Sequence, residues 1–143
     1  MKILEEANME FPIVEQSLIG YCTKYAYLAC FKTVVPNTQE GKDNCYFEAV
    51  IKYDLENEKI VDRIDFGPTK SAGEIFYHKR DNAKSEDDGY LMSFVYDCTT
   101  EKSEFVMWDA KTMKSKPVVR AQTDVRVPNG FHTYFVHEDE LKN

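Results

Sequence analysis

Three histidines, His78, His132 and His137, are the residues of this 143-residue chain most suited to ligating a metal or moving a proton near neutral pH. None pairs with another at the close spacing of a local metal site. Taken alone, each reads first as a packed or solvated side chain. His132 differs in what precedes it, the run Arg126-Val127-Pro128-Asn129-Gly130-Phe131-His132. Pro128 lacks a ladder donor, so a strand must break there. Asn129-Gly130 accepts positive φ and turns the chain. The pattern predicts that His132 begins a new strand and sits at its mouth, where clefts form. The plainer alternative is a hairpin with a histidine at its end.

Other chemistries find little support. Cys22, Cys30, Cys45 and Cys98 include no CxxC pair, so zinc-ribbon spacing is absent and four reduced thiols in a cytosol-like compartment are expected. No nucleophile elbow, phosphate-binding loop or dinucleotide fingerprint occurs. Glu86-Asp87-Asp88 reads as a solvated acidic loop ahead of a strand, with a cation site as the alternative. The formal charge of −7 and pI near 5.0 argue against a nucleic-acid partner and against charge-driven binding to anionic lipid. No apolar run approaches the roughly 18 residues that span a bilayer. The opening Met1–Glu10 has no apolar block and does not read as a secretory signal.

The elements that would position these residues are strands. Aromatic residues make up 13% of the chain, which suits pleated, half-buried surfaces. About eight strands are expected, over 24–31, 47–54, 59–66, 74–78, 90–97, 104–109, 117–127 and 131–136. Turn signals lie between them at all-β spacing. Residues 1–10 read as a helical turn or a frayed end, 33–44 and 67–73 as loops, and 137–141 as the start of a helix. Several strands are apolar on both faces and call for cover on both sides. No internal repeat, low-complexity segment or linker divides residues 1–143, so one unit without internal boundary is expected.

Read together, five ordered motifs make the chain recognisable. They are Glu10-Phe11-Pro12; Asp65-Phe66-Gly67-Pro68 with Gly73-Glu74-Ile75-Phe76; Glu86-Asp87-Asp88-Gly89-Tyr90-Leu91; Asp109-Ala110-Lys111-Thr112-Met113; and Arg126-Val127-Pro128 with Gly130-Phe131-His132. This series resembles the C-terminal part of the carotenoid cleavage oxygenases, from about Met9 to about Leu141. The 109–113 stretch and the 136–141 tail look most like the plant-type carotenoid cleavage dioxygenase 1 branch.

The resemblance implies an all-β antiparallel meander making about two blades of a seven-bladed β-propeller. It implies a non-haem Fe(II) held on the propeller axis by four histidines, with dioxygen as co-substrate and a carotenoid or apocarotenoid cleaved to carbonyl products. His132 matches the last of the four ligands. Glu10 and Glu74 match carboxylates that orient ligand imidazoles, as the chemistry of a ligating histidine calls for. His78 and His137 match no ligand motif, and no residue is expected to act as nucleophile or general base. The other three ligands would lie upstream, so the chain reads as a C-terminal piece, inactive alone. The intact protein would be cytoplasmic, with no transmembrane segment; its substrate tunnel and any peripheral membrane contact would be built mostly elsewhere. The alternative is a non-catalytic all-β remnant or interaction protein that lost its iron. Ile75 and Asn129 depart from the family's usual Pro and Tyr, and Thr69-Lys70-Ser71-Ala72 replaces its G-R-Y-G loop.

Overall fold

The structure is a computed structural model that describes residues 8–31, 47–128, 130 and 132–142. Two antiparallel meanders of four strands dominate it. The first comprises β1 (Met9–Ile13), β2 (Tyr25–Phe31), β3 (Phe47–Asp54) and β4 (Lys59–Asp65). A short β5 (Lys70–Ala72) follows. The second meander comprises β6 (Phe76–Lys79), β7 (Gly89–Asp97), β8 (Lys102–Asp109) and β9 (Val119–Gln122). β5 joins the two, because Ala72 pairs with Phe47 of β3 while Lys70–Ala72 pair with Val95–Asp97 of β7. Two 3-10 turns, Gln16–Leu18 and Glu138–Lys142, are the helical structure among the described residues. Among the described residues no helix is long and apolar enough to cross a membrane.

Aspartates at strand ends start three of the turns. Asp54 accepts hydrogen bonds from the N–H groups of Glu56 and Asn57 at 3.0 and 2.9 Å. Asp97 accepts from Thr99 N at 2.9 Å, and Asp109 from Lys111 N and Thr112 N at 3.1 and 2.7 Å. A short carboxylate that satisfies the next backbone donors fixes the reversal locally. The 109–113 motif is therefore a tight turn, and Met113 closes it with a left-handed backbone and a buried side chain.

The core lies between the meanders. Tyr27, Val50 and Ile64 of the first pack with Leu91, Val95, Val106 and Trp108 of the second, with Ala72 and Ile75 between them. Tyr27 and Tyr77 stack at 5.4 Å, and Phe66 meets Trp108 at 5.5 Å. Burying each Val, Leu or Ile contributes about 1.5–3 kcal/mol. β3 is buried along nearly its whole length, in keeping with the apolar residues on both of its faces, although it also carries Lys52 inward. β4 is not: only Ile64 faces the core, and Ile60 and Val61 are exposed.

A polar clasp crosses the same interface. Lys52 of β3 is 3% exposed, and its ammonium reaches Asp87 Oδ2 at 2.7 Å and the carbonyls of Ala110 and Lys111 at 3.2 and 3.4 Å. Those three acceptors match its three N–H donors. The Glu86 carboxylate accepts from Lys24 N and Tyr25 N at 3.0 and 2.8 Å and from the Thr23 hydroxyl, tying the start of β2. Gly89 is required for close approach. A Cβ there would lie 2.5 Å from both the His78 carbonyl oxygen and Tyr77 Oη. Burial pushes the Asp87 carboxyl up, but hydrogen bonds from Lys52 and Ser85 outweigh it and hold it below the usual carboxylate range.

Several expectations need correction. Among the described residues nine strands form, where about eight were expected. Of residues 1–10, expected as a helical turn or a frayed end, 1–7 lie outside the described residues, while Met9 and Glu10 open strand β1, whose backbone pairs with β2. β5 forms inside the stretch expected to be a loop, stabilised by ladders on both sides. The strand expected over 117–127 is confined to Val119–Gln122, and none forms over 132–136. The acidic run 86–88 is neither a solvated loop nor a cation site, since Glu86 and Asp87 are engaged with the first meander. The 33–44 loop, Cys45, Asn129 and Phe131 lie outside the described residues.

Candidate metal centre

His132, the histidine singled out by its motif, lies in a bend in irregular chain, not at the start of a strand. Pro128 explains part of this, since it removes a donor just where the expected hairpin would need one. The ring is held by contacts from two other parts of the chain. Its Nδ1 lies 3.4 Å from Glu74 Oε1, and its plane meets the Phe11 ring edge-on at 5.4 Å. The other Glu74 oxygen, Oε2, accepts the Thr133 N–H at 2.6 Å. One carboxylate thus grips both the imidazole and the peptide that follows it. The side chain of His132 is 68% exposed and that of Glu74 only 14%. The carboxylate is anchored inside the fold, and the ring it orients faces outward.

Local structure sets Glu74 in place. It follows Gly73, whose N–H donates to the Phe94 carbonyl at 3.0 Å. The Ser93 hydroxyl, 5% exposed, lies 3.2 and 3.1 Å from the carbonyl oxygens of Gly73 and Glu74. Beyond Glu74 the chain enters β6, with Ile75 buried in the core.

Glu10 is placed differently. It is an exposed residue of the edge strand β1, opposite Ala29. The neighbour that reaches His132 is Phe11, a residue not anticipated from sequence. The β1–β2 register shifts between Glu10 and Ile13, and Phe11 adopts φ 54° in that irregularity. A bulky residue in the left-handed region is a genuine outlier. Here it turns the ring onto both Phe47 and His132 at 5.4 Å. Pro12 biases the residue before it towards extended backbone, so the sequence carried no signal of this conformation.

Glu74 also lines two cavities. One, of about 270 Å³, runs beside Phe76, Met92, Phe94, Phe105 and Phe135. The other, of about 380 Å³, includes Ile13, Ile19 and Tyr77. His78 and His137 belong elsewhere, in a space of about 260 Å³ shared with Glu15, Lys79 and Glu140. Among the described residues no three His, Cys, Asp or Glu side chains converge as a metal cluster. What the geometry offers is one imidazole, oriented by a carboxylate at Nδ1, which suits ligation through the opposite ring nitrogen.

Comparison with known proteins now bears on this arrangement. Residues 1–137 match the family model described as retinal pigment epithelial membrane protein. The chain is 32% identical to a carotenoid 9,10(9',10')-cleavage dioxygenase of Crocus sativus, over 99% of this chain and 27% of that protein. A chloroplastic 9-cis-epoxycarotenoid dioxygenase of Oryza sativa subsp. japonica is 34% identical, over 98% of the chain and 21% of the relative. Among solved structures, a variant of the Synechocystis apocarotenoid oxygenase superposes with TM-score 0.74 at 25% identity, covering 88% of this chain and 25% of that one. The cobalt-substituted form of that oxygenase matches with TM-score 0.71, also at 25% identity, over 85% and 24%. The chain spans about a quarter of the length of these relatives. The named plant relatives include enzymes of several cleavage types at similar identity, so the plant dioxygenase 1 branch is one of several that fit.

Proposed function

The chain belongs to the retinal pigment epithelial membrane protein family, which includes the carotenoid cleavage dioxygenases, and from that premise we propose that it forms the part of a non-haem Fe(II) dioxygenase that supplies the last iron ligand. The nine antiparallel strands are part of that family's β-propeller, in agreement with the solved oxygenases. The observation that carries the proposal is the His132–Glu74 contact, with the carboxylate at Nδ1 and the backbone N–H of Thr133 on the same carboxylate. An imidazole donor suits ferrous iron, and a carboxylate at its far nitrogen fixes tautomer and orientation and raises basicity.

The donor set of this chain fits iron in kind and supplies one position of it. His132 would be the ligand. Glu74 holds it, and Glu10 would orient an imidazole from outside these 143 residues. Bound iron supplies the dioxygen chemistry that splits a conjugated double bond into two carbonyls. This chain's own task is to fix the ligand and shape a dry space. The aromatic and apolar wall beside Glu74 suits the conjugated chain of such a substrate, which along its length offers no polar handle. Substrates are carotenoids or apocarotenoids, and the favoured bond is 9,10(9',10'), by likeness to the plant enzymes that carry that name. Residues 1–143 act as one unit, since the meanders share one core. With one histidine ligand of four, the chain by itself has no turnover. The intact protein is cytoplasmic, a reading that rests on cysteine usage without zinc or disulfide spacing.

The test is made on the intact protein that carries this chain, loaded with Fe(II). Incubation with β-carotene and with a shorter apocarotenoid under labelled dioxygen should give labelled aldehyde or ketone. No labelled product from either substrate, with iron bound, refutes the cleavage activity. No iron bound at all favours a non-catalytic remnant.

A further inference from the structure

We infer that Ser103 is a positioning residue for His132. The inference rests on the proposal that His132 ligates iron and goes beyond it by assigning what holds the ligand's backbone in register. After β9 ends at Gln122, the chain folds back over the start of β8, and the hydrogen bonds it makes there go to one residue. Thr123 N–H donates to the Ser103 carbonyl at 2.9 Å. The Thr123 hydroxyl lies 2.9 Å from that same carbonyl and 2.7 Å from the Val125 carbonyl, and donates to one of them at a time. Val127 N–H donates to Ser103 Oγ at 2.9 Å. Ser103 is 1% exposed and so rigidly placed, at the start of β8 opposite Tyr96.

The described residues of the segment it holds are mostly exposed. Asp124, Val125 and Arg126 are exposed, Val127 is half-buried, and Pro128 and His132 are exposed again. The Arg126 guanidinium lies over the Tyr96 ring at 4.7 Å, which adds a weak surface contact at the same point. Beyond Val127, the next hydrogen bond of the strap among the described residues is at the His132–Thr133 grip on Glu74. Val127 and Thr133 are six residues apart, a length that can reach about 20 Å extended. Among its described residues, the strap is hydrogen-bonded to the rest of the fold at its two ends. Glu74 defines one end and Ser103 the other. The spacing between hook and ligand runs through Pro128, whose ring fixes its own φ and restrains Val127. Ser103 therefore sets where the strap starts, Pro128 sets its direction, and Glu74 receives the ring at the end.

The experiment uses the 143-residue chain for backbone readouts and the intact protein for the metal. In the chain, Ser103→Ala should speed amide hydrogen exchange at Val127 and at Thr133 by about tenfold each, while exchange within β7 stays unchanged. Ser103→Thr, which keeps the hydroxyl, should restore both. In the intact protein loaded with Co(II), Ser103→Ala should alter the ligand-field absorption spectrum and weaken cobalt affinity by about 10–100-fold, the range seen when support of a ligating histidine is lost. Where Ser103→Ala does not fold, Thr123→Val, nearly the same in shape, removes a hydroxyl from the same hook and should speed Thr133 exchange in the same direction. Faster Val127 exchange with Thr133 exchange and the cobalt spectrum unchanged overturns the inference: the hook would then hold a loop and nothing more. Glu74→Gln separates the underlying reading. If it leaves Thr133 exchange and the cobalt spectrum as they were, the His132–Glu74 centre fails, whatever Ser103 does.

Discussion

Lys52→Met tests the clasp between the two meanders. The substitution keeps the stem of the side chain and removes the ammonium. Asp87, 8% exposed, then loses the cation 2.7 Å from it, and the Lys111 carbonyl loses a donor. The Ala110 carbonyl keeps one, the Tyr27 hydroxyl at 3.3 Å. Removing one partner of a buried pair costs about 3–5 kcal/mol, because the remaining charge has neither water nor a counter-ion. With a urea m-value of about 2 kcal/mol/M, the unfolding midpoint should fall by roughly 1.5–2.5 M. Replacing both partners, Lys52→Met with Asp87→Val, should recover most of the loss, since an apolar pair of similar volume needs no counter-ion. Asp87 also fixes a pH dependence. Its carboxyl is held below its ordinary value in the fold, so the stabilisation is complete above the unfolded value, near 3.9, and is lost as pH falls through the folded one. Wild type should lose midpoint steeply below about pH 4, and the double variant less so. The assay is urea unfolding followed by Trp108 fluorescence. A Lys52→Met midpoint within about 0.3 M of wild type would refute the reasoning, as would a double variant weaker than the single one.

Three further outcomes are expected. His132→Ala in the intact protein should abolish both bound iron and turnover; iron retained near one per chain would contradict its role as ligand. Glu74→Gln should weaken iron affinity or activity by about 10–100-fold without abolishing it, measured by metal titration, because the amide keeps one acceptor for Thr133 N–H but presents a different group to the imidazole. Gly89→Ala should cost about 1–3 kcal/mol in urea unfolding, because its Cβ would meet the His78 carbonyl at 2.5 Å and backbone cannot yield there. A neutral effect would mean that the β6–β7 approach is looser than described.

The strands legible in the sequence were those whose chemistry is local. β3 matches its expected limits, Phe47–Asp54, because a largely apolar stretch rich in strand-forming residues ends in an aspartate that starts its own turn. β1 and β5 were hidden for the opposite reason. Met9–Ile13 contains a proline and follows an acidic stretch, and Lys70–Ala72 is three residues of weak propensity. Both become strands because neighbours from distant parts of the chain offer free ladder edges. No local pattern carries that information. The expected strand at 131–136 failed in the other direction. Its residues have strand-like composition, but residues 132–136 pair with no ladder among the described residues.

The same distinction separates the site from the scaffold around it. The 86–91 and 109–113 motifs carried much of the family likeness, yet their side chains serve the contact between blades: Glu86 caps the start of β2, Asp87 and the Ala110 carbonyl hold Lys52, and Gly89 allows the close packing at β6. They identify the family through the way it assembles, not through its chemistry. The chemical part of the likeness lies in Glu74 and His132, 58 residues apart in sequence, and nothing in either motif alone states that they meet. Their meeting follows from the second meander. Glu74 leads into β6, β6 pairs with β7, β7 with β8, and the chain leaving β9 is hooked on β8 before it turns towards Glu74. If His132 is the ligand proposed above, its place on exposed, irregular chain can be reproducible only if both ends of its segment are anchored to the sheet. That requirement makes Ser103 and Glu74, rather than the residues flanking His132, the positions where small substitutions should shift the proposed metal site most.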